Sequence, residues 1–253
     1  MRKPLRQLAF YIFLVGLWQL ISALRIWPPY LFPPPGNVWE ALQTGFTDRT
    51  FLIAIGISMK RIGIGYGLSV LLGVSLGFLL AASRFLEETL GGLVLSLQSL
   101  PSLCWLPLAV LWFGLTEAAI LFVVVMGSLL AVTISTETGV RHVPKIYLQA
   151  GRNLGARGLG LILHVLLPAS LPHLVAGLKQ GWAFAWRSLI SGEMIFVSLG
   201  LGHLLMMGRD LNDMSQVVAV MILIMALGQV VDHLFFGRLE HSIRHKWGVT
   251  SFR

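Results

Sequence analysis

Residues 118–135 read AAILFVVVMGSLLAVTIS, eighteen consecutive positions without a charge. A helix of that length rises about 27 Å, close to the thickness of a bilayer's hydrocarbon layer. In lipid, a helix is the only open-ended structure that satisfies its own backbone N–H and C=O groups. The stretch is therefore a membrane-crossing helix, and the question becomes how many companions it has.

Five further apolar segments flank it: Leu8 to Leu24, Ile62 to Ala82, Leu90 to Phe113, Leu174 to Val197 and Val217 to Phe236. The third of the six in chain order carries Pro101 and Pro107, so it is expected to be broken rather than straight. The pattern predicts an all-α polytopic membrane protein with about six spans. Composition agrees, because 56% of the 253 residues are hydrophobic and 12% charged, against roughly 25% charged in soluble domains. One transmembrane domain over 1–253 is expected, with no room for a soluble second domain; the family resemblance described below implies a core from about 54 to 238.

Lys+Arg 19 against Asp+Glu 11 gives a basic chain, and the basic residues sit between the apolar runs rather than along one face. That placement sets topology and argues against nucleic acid as a partner, leaving membrane lipid as the surrounding. With the N-terminus inside, 12 of the 19 fall in the cytoplasm: Arg2, Lys3, Arg6, Arg84, Arg141, Lys145, Arg152, Arg157, Arg238, Arg244, Lys246 and Arg253. Arg25, Arg49 and Arg209 fall outside, and Lys60 and Arg61 near the outer end of the second span. Both termini are thus expected in the cytoplasm. The run after Arg2, Lys3 and Arg6 is longer than a signal peptide's apolar region and precedes no small-x-small site, so a retained first span is expected. Cys104, the only cysteine, excludes an intrachain disulfide and a thiolate cluster, and it is expected to be an inert buried thiol.

Two connections are long. From Arg25 to about Arg61, the chain opens with WPPYLFPPPG (27–36), expected to be extended at the outer surface, followed by VWEALQTGF as a short amphipathic helix. The other, 139–171, is cytoplasmic. It reads as helix (KIYLQAGRNL), left-handed turn at Gly155, then helix (ARGLGLILHVLL) stopped at Pro168. A structured loop of that size suggests a docking surface.

At this loop the chain resembles the permease subunits of type I ATP-binding-cassette importers, in the branch that carries sulfonates, taurine, nitrate or bicarbonate. The family signature is Glu-Ala-Ala, three residues, Gly, nine residues, Ile, one residue, Leu-Pro. Here Gln149, Ala150, Gly151, Gly155, Val165, Leu167 and Pro168 fall at those spacings, with Gln149 in place of Glu and Gly151 in place of Ala. Further matching stretches are FPPPGNVWEAL, SMKRIGIGYG, SLPSLCWLPLAVLWFG, LPASLPHLVAGLKQGWAFAW and SGEMI followed by GLG, from about Leu31 to Trp247.

The resemblance implies half of a homodimeric pore in a bacterial inner membrane. Its coupling helix, Gln149, Ala150, Gly151, Arg152, Asn153, Leu154 and Gly155, would dock in a cleft on a separate ATPase. The chain has no phosphate-binding loop, so it is not expected to be an enzyme. ATP and Mg would be used by the partner ATPase, with no cofactor bound by this chain. A periplasmic or lipid-anchored binding protein would deliver a small anion to the outer loops, including Gly200 to Met214. The competing reading is a channel or secondary transporter that works without an ATPase, but no internal repeat supports it.

Within the fifth segment lie Lys179, Arg187 and Glu193, and an unpaired charge at mid-bilayer costs about 2.5 to 3.5 kcal/mol or more. Arg187 reads two ways: as a guanidinium that attracts an oxyanion along the pathway, or as a structural group paired with Glu193 or with carbonyls. Trp182 and Trp186, three and seven residues beyond Lys179, could set rings beside its cation or serve as packing anchors. Gly73-Val-Ser75-Leu-Gly77 has the G-x-S-x-G form of a hydrolase elbow, but within an apolar helix its small residues four apart favour close packing. His241 and His245 have metal-ligand spacing without a third ligand, and read as solvated histidines. Asp232 and Glu240 read as interfacial charges.

Overall fold

A computed structural model describes residues 2–196 and 198–246. The side chains of Arg2, Lys3, His241, Arg244, His245 and Lys246 lie outside the described set, as do Trp247 and Arg253. The expectations placed on those residues concern positions outside the description.

Every regular element is helical among the described residues. In chain order they are α1 (Arg2–Ala23), α2 (Pro35–Thr47), α3 (Thr50–Ala82), α4 (Arg84–Gln98), α5 (Ser102–Phe113), α6 (Glu117–Arg141), α7 (Lys145–Asn153), α8 (159–195), α9 (Leu201–Asp210) and α10 (214–246). Five helices are long and apolar enough to cross a membrane, and the pair α4 and α5, bent by 102° at the break between them, brings the number to six when it is counted as one span. The expected break of the third apolar run is thus present. Pro101 lacks an N–H and biases its predecessor away from helix, so α4 ends before it and the chain restarts at Ser102.

The chain divides into two compact units. The first takes residues up to 58 together with 193–226, and the second takes 59–192 with residues from 227 onward. In the first unit, Pro35 occupies the first turn of α2, where its missing N–H costs nothing. The 27–36 stretch is not extended throughout: Leu31 and Phe32 donate to the Pro28 carbonyl, and Trp18 Nε1 donates to the Pro33 carbonyl at 3.0 Å. The first connection is also shorter than expected, since α3 begins at Thr50 and carries Lys60 and Arg61 inside it. Asp48 Oδ1 accepts the Thr50 N–H at 2.9 Å, which supplies the start of that helix.

In the second unit, α3 packs on α6 through glycines. A Cβ on Gly77 would lie 2.5 Å from Thr136 Cβ and 2.6 Å from the Thr133 carbonyl, and one on Gly73 would lie 2.9 Å from the Leu129 carbonyl. This is the close packing that small residues four apart allow in a membrane. Ser75 is spent within its own helix, donating to the Leu71 carbonyl at 2.7 Å. Arg61 is 4% exposed and donates to Glu117 Oε1 at 3.0 Å, so it is a buried ion-pair partner rather than a surface charge. Cys104 corrects another expectation: it is exposed, because the turn at Ser102–Trp105 directs it outward.

The helix after α7 does not stop at Pro168. It runs on to Ile195 through Pro168 and Pro172, preceded by a wide π turn over Ile162–Leu166. The wider turn shifts the Leu167 N–H onto the Ile162 carbonyl, which relaxes the ladder just where a proline ring would clash with it.

Candidate functional site

Two places gather the residues that the sequence singles out, both within the second unit. The first is built on α7. Lys145–Asn153 is short and polar on most of its surface, yet Ile146, Tyr147 and Leu154 are exposed, Leu154 to 89%. Its inward contact is made by Gly151, which is buried; a Cβ there would lie 2.7 Å from Val165 and 3.1 Å from Leu161. Glycine lets the helix backbone sit directly on α8. Gln149, Ala150, Arg152, Asn153, Leu154 and Gly155 all face away, exposed.

The helix ends in a fixed geometry. The Ala156 N–H donates to the Gly151 carbonyl at 2.9 Å and the Gly155 N–H to the Arg152 carbonyl at 3.0 Å, with Gly155 at φ +87°. This pair of bonds is a Schellman closure, which needs a left-handed residue and so favours glycine. Nothing lies within 4 Å of a Cβ built on Gly155. Leu167 and Pro168 fall beyond the π turn, half-buried on α8.

α7 follows α6 by three residues, and the end of α6 is tied down. Arg141 donates through Nη1 to Glu87 Oε1 at 2.5 Å and through Nε to Glu137 Oε1 at 2.6 Å. Glu87 belongs to the π turn of α4. These groups border an open cavity of about 1000 Å³ between α3, α4 and α6. No feature of the sequence pairs Arg141 with a residue 54 positions earlier, and that tie was not foreseen.

The second place is the break in the third span. Residues 97–102, with Met126, Gly127, Leu130 and Ala131 of α6 and Phe184 and Arg187 of α8, enclose a cavity of about 300 Å³. Arg187 Nε donates to the Ala183 carbonyl at 3.0 Å, and the guanidinium carbon sits 4.8 Å from the centre of the Phe184 ring. Arg187 is exposed, and these two contacts orient its side chain along α8.

The other charged and aromatic candidates of α8 lie elsewhere. Lys179 Nζ is 3.1 Å from Asp232 Oδ2, so Asp232 is an ion-pair partner of Lys179 and not simply an interfacial charge. Trp186 is buried at 8% exposure; Trp182 lies stacked on it at 6.2 Å and edge-on to Tyr66 at 5.4 Å. The two tryptophan rings pack on one another, and Trp182 also packs on Tyr66. Glu193 is fully buried in the first unit, where the Ser58 hydroxyl donates to its oxygens at 2.9 and 2.8 Å and the Gly202 N–H donates at 3.1 Å. The helix is continuous through Gly192, so Arg187 and Glu193 have separate partners and the pair envisaged between them does not form. Of the four, Arg187 alone borders one of the two cavities described above.

The sequence does carry the signal that points to this cavity, in the polar run Gln98, Ser99 and Ser102 interrupting an apolar segment beside Pro101. Among the described residues, no group of three or more His, Cys, Asp or Glu side chains is placed to hold a metal ion.

Comparison with known proteins matches residues 69–245 to the family described as binding-protein-dependent transport system inner membrane component. A chain of Methanocaldococcus jannaschii named as an ABC transporter permease protein is 36% identical over 228 residues, covering 86% of this chain and 83% of its own. An Escherichia coli K12 chain named as an aliphatic sulfonates transport permease protein, SsuC, is 32% identical over 219 residues, covering 87% and 83%. Among solved structures, the MetNI methionine ABC transporter in an inward-facing form superposes with a TM-score of 0.68 at 18% identity, covering 77% of this chain and 96% of that one.

Proposed function

The chain belongs to the binding-protein-dependent transport inner membrane component family and is the membrane-spanning permease of an ABC importer; from that premise we propose that it moves a small anion inward, driven through α7. The observation that carries this reading is the construction of α7. It is a short helix seated on α8 by Gly151, closed at a fixed angle by Gly155, and presenting Ile146, Tyr147 and Leu154 to a partner.

In this reading Gln149, Ala150, Gly151, Arg152, Asn153, Leu154 and Gly155 enter a cleft on a separate ATPase, with Leu167 and Pro168 behind them. ATP and Mg are bound and used by that partner, one ATPase subunit beneath each of two copies of this chain. Closure of the ATPase pair draws the two α7 helices together and tilts the spans, a rigid-body change of the type that packed interfaces amplify. The missing Glu charge at Gln149 is compensated by apolar and backbone contacts. A binding protein, free or lipid-anchored, delivers solute on the opposite side. Both termini and α7 then face the cytoplasm of a bacterial cell whose inner membrane holds the complex. The name of the E. coli relative supports an anionic solute of the sulfonate class, and Arg187 is the residue of this chain best placed to attract one.

The test is ATP hydrolysis by the permease with its ATPase in nanodiscs, comparing Gly155→Asp with the unchanged chain. A Cβ at Gly155 meets nothing, but at φ +87° it strains the closure of α7; with the damage confined to that turn, the variant should assemble yet lose stimulation by loaded binding protein. Stimulation equal to the unchanged chain would overturn the role given to α7.

A further inference from the structure

We infer that the cavity at the break between α4 and α5 is an anion-binding site, in which Arg187, Gln98 and Ser102 hold an oxyanion headgroup and the apolar walls receive a short organic tail. The inference rests on the permease reading and locates where in the chain the solute is recognised.

The first argument is charge. The cavity is lined by one guanidinium and no carboxylate. Arg187 uses Nε on the Ala183 carbonyl, and its terminal nitrogens have no protein partner among the described residues. A cation in a membrane span carries a cost when no counter-charge or water offsets it. A bound anion removes it, and the guanidinium fork matches the spacing of two oxyanion oxygens.

The second argument is the supply of neutral hydrogen-bond groups. The broken span brings Gln98 and Ser102 to the same cavity, and neither side chain has a hydrogen bond to a described residue. Interrupted helices at membrane depth are tolerated where they line a cavity, and there they present such groups to a solute. Gly127 lets α8 and the Ser102 turn approach α6 closely beside the cavity. A Cβ on it would collide with Ser188 and come within 3.3 Å of Ser102 Cβ.

The third argument is size and wall chemistry. A volume of about 300 Å³ lies at the lower end of ligand sites. Most of the wall is apolar, from Leu97, Met126 and Leu130 among others, with the Phe184 ring held under the guanidinium. A fully hydrated inorganic anion gains little from such a wall, whereas a short alkyl chain is desolvated by it, which raises affinity a few-fold for each methylene buried. The site therefore favours small amphipathic monoanions over nitrate.

The experiment is equilibrium binding of radiolabelled ethanesulfonate to the complex of this chain with its ATPase in nanodiscs, without binding protein. Competition by nitrate is measured on the same preparation. Expected are saturable binding and at least tenfold weaker competition by nitrate. Arg187→Gln should weaken binding at least tenfold, Gln98→Leu two- to fivefold, and Arg187→Lys should retain part of the affinity, since charge persists without the fork. Binding of Arg187→Gln and Gln98→Leu equal to the unchanged chain would overturn the site, as would nitrate competing as well as ethanesulfonate. Co-purification of the ATPase with the unchanged chain is scored separately: its failure counts against the permease reading and not against the site.

Discussion

The Ser58 hydroxyl lies 2.8 Å from Oε2 of Glu193, a residue 135 positions further along the chain. The same hydroxyl accepts the Leu201 N–H at 3.0 Å, and Glu193 Oε2 accepts the Gly202 N–H at 3.1 Å. The two side chains thus satisfy the first amides of α9, where a carboxylate also suits the positive end of the helix. Gly200 permits the approach, because a Cβ there would lie 2.5 Å from the Glu193 carboxyl carbon.

Removing that carboxylate should therefore be costly. Glu193→Ala leaves the Ser58 O–H and the Gly202 N–H without this acceptor in a buried place, and each such orphan costs about 1–3 kcal/mol. Glu193→Gln keeps one carbonyl oxygen and should cost less. Thermal unfolding in nanodiscs checks the order: alanine lowest, glutamine between, unchanged chain highest. Equal melting temperatures for all three would remove the clamp from the account of stability.

Glycine packing of α3 on α6 makes a second prediction with an internal control. Gly77→Val drives side-chain atoms into Thr133 and Thr136, an overpacking worth about 1–3 kcal/mol. At Gly67, also on α3, a Cβ meets nothing within 4 Å, so Gly67→Ala should be neutral or stabilise through helix propensity. Melting temperatures of both variants should separate in that order. A Gly77→Val variant as stable as Gly67→Ala would show that the two helices do not pack in this way.

What the sequence made legible is what lipid and local geometry dictate. The apolar runs declare themselves because only a helix serves a backbone in hydrocarbon, and Pro101 declares the break. Gly155 was readable from its position after KIYLQAGRNL, since helix closure is decided within a few residues. Pro168 misled because the relief comes from the π turn at Ile162–Leu166, which no residue type announces. Pairings across the fold were closed to a one-dimensional reading: Ser58 with Glu193, Arg61 with Glu117, Arg141 with Glu87. Charged residues that looked like surface or pathway groups were thereby placed in ion pairs or clamps. The cavity at Arg187 was half legible, through its charge and through a polar run whose meeting with it depends on the bend.

The tie between Arg141 and Glu87 bears on coupling. Arg141 ends α6, three residues before α7, while Glu87 sits in the π turn that begins the broken third span. If α7 takes the push of a partner ATPase, as proposed, this pair is the contact that would carry it to α4. Both groups are 36% exposed, which limits the pair to about 1 kcal/mol, or fivefold in an equilibrium it biases. Arg141→Ala should lower solute moved per ATP hydrolysed by a few-fold in proteoliposomes, and the exchanged pair Glu87→Arg with Arg141→Glu should recover part of it. Recovery is the decisive measurement, because loss alone would follow from any local damage. If the exchanged pair transports no better than Arg141→Ala, the contact is not a relay.

The pair of Lys179 with Asp232 makes the last prediction, and it turns on an asymmetry. The two charges lie 3.1 Å apart at 39% and 32% exposure, on α8 and on the π turn of α10. Neutralising one of them leaves the other without this partner inside an apolar span, where the penalty approaches the roughly 2.5 kcal/mol of a lone intramembrane charge as water is excluded. Neutralising both removes the charge and its penalty together, and apolar replacements of similar size are commonly neutral or stabilising at such sites. Lys179→Met and Asp232→Leu should therefore each lower the melting temperature in nanodiscs, while the double variant returns close to the unchanged chain. The coupling between the two substitutions, read from the double-mutant cycle, should exceed about 1 kcal/mol. Additive losses would mean that each residue is held by something other than its neighbour, and the span would then need another explanation for carrying a lysine.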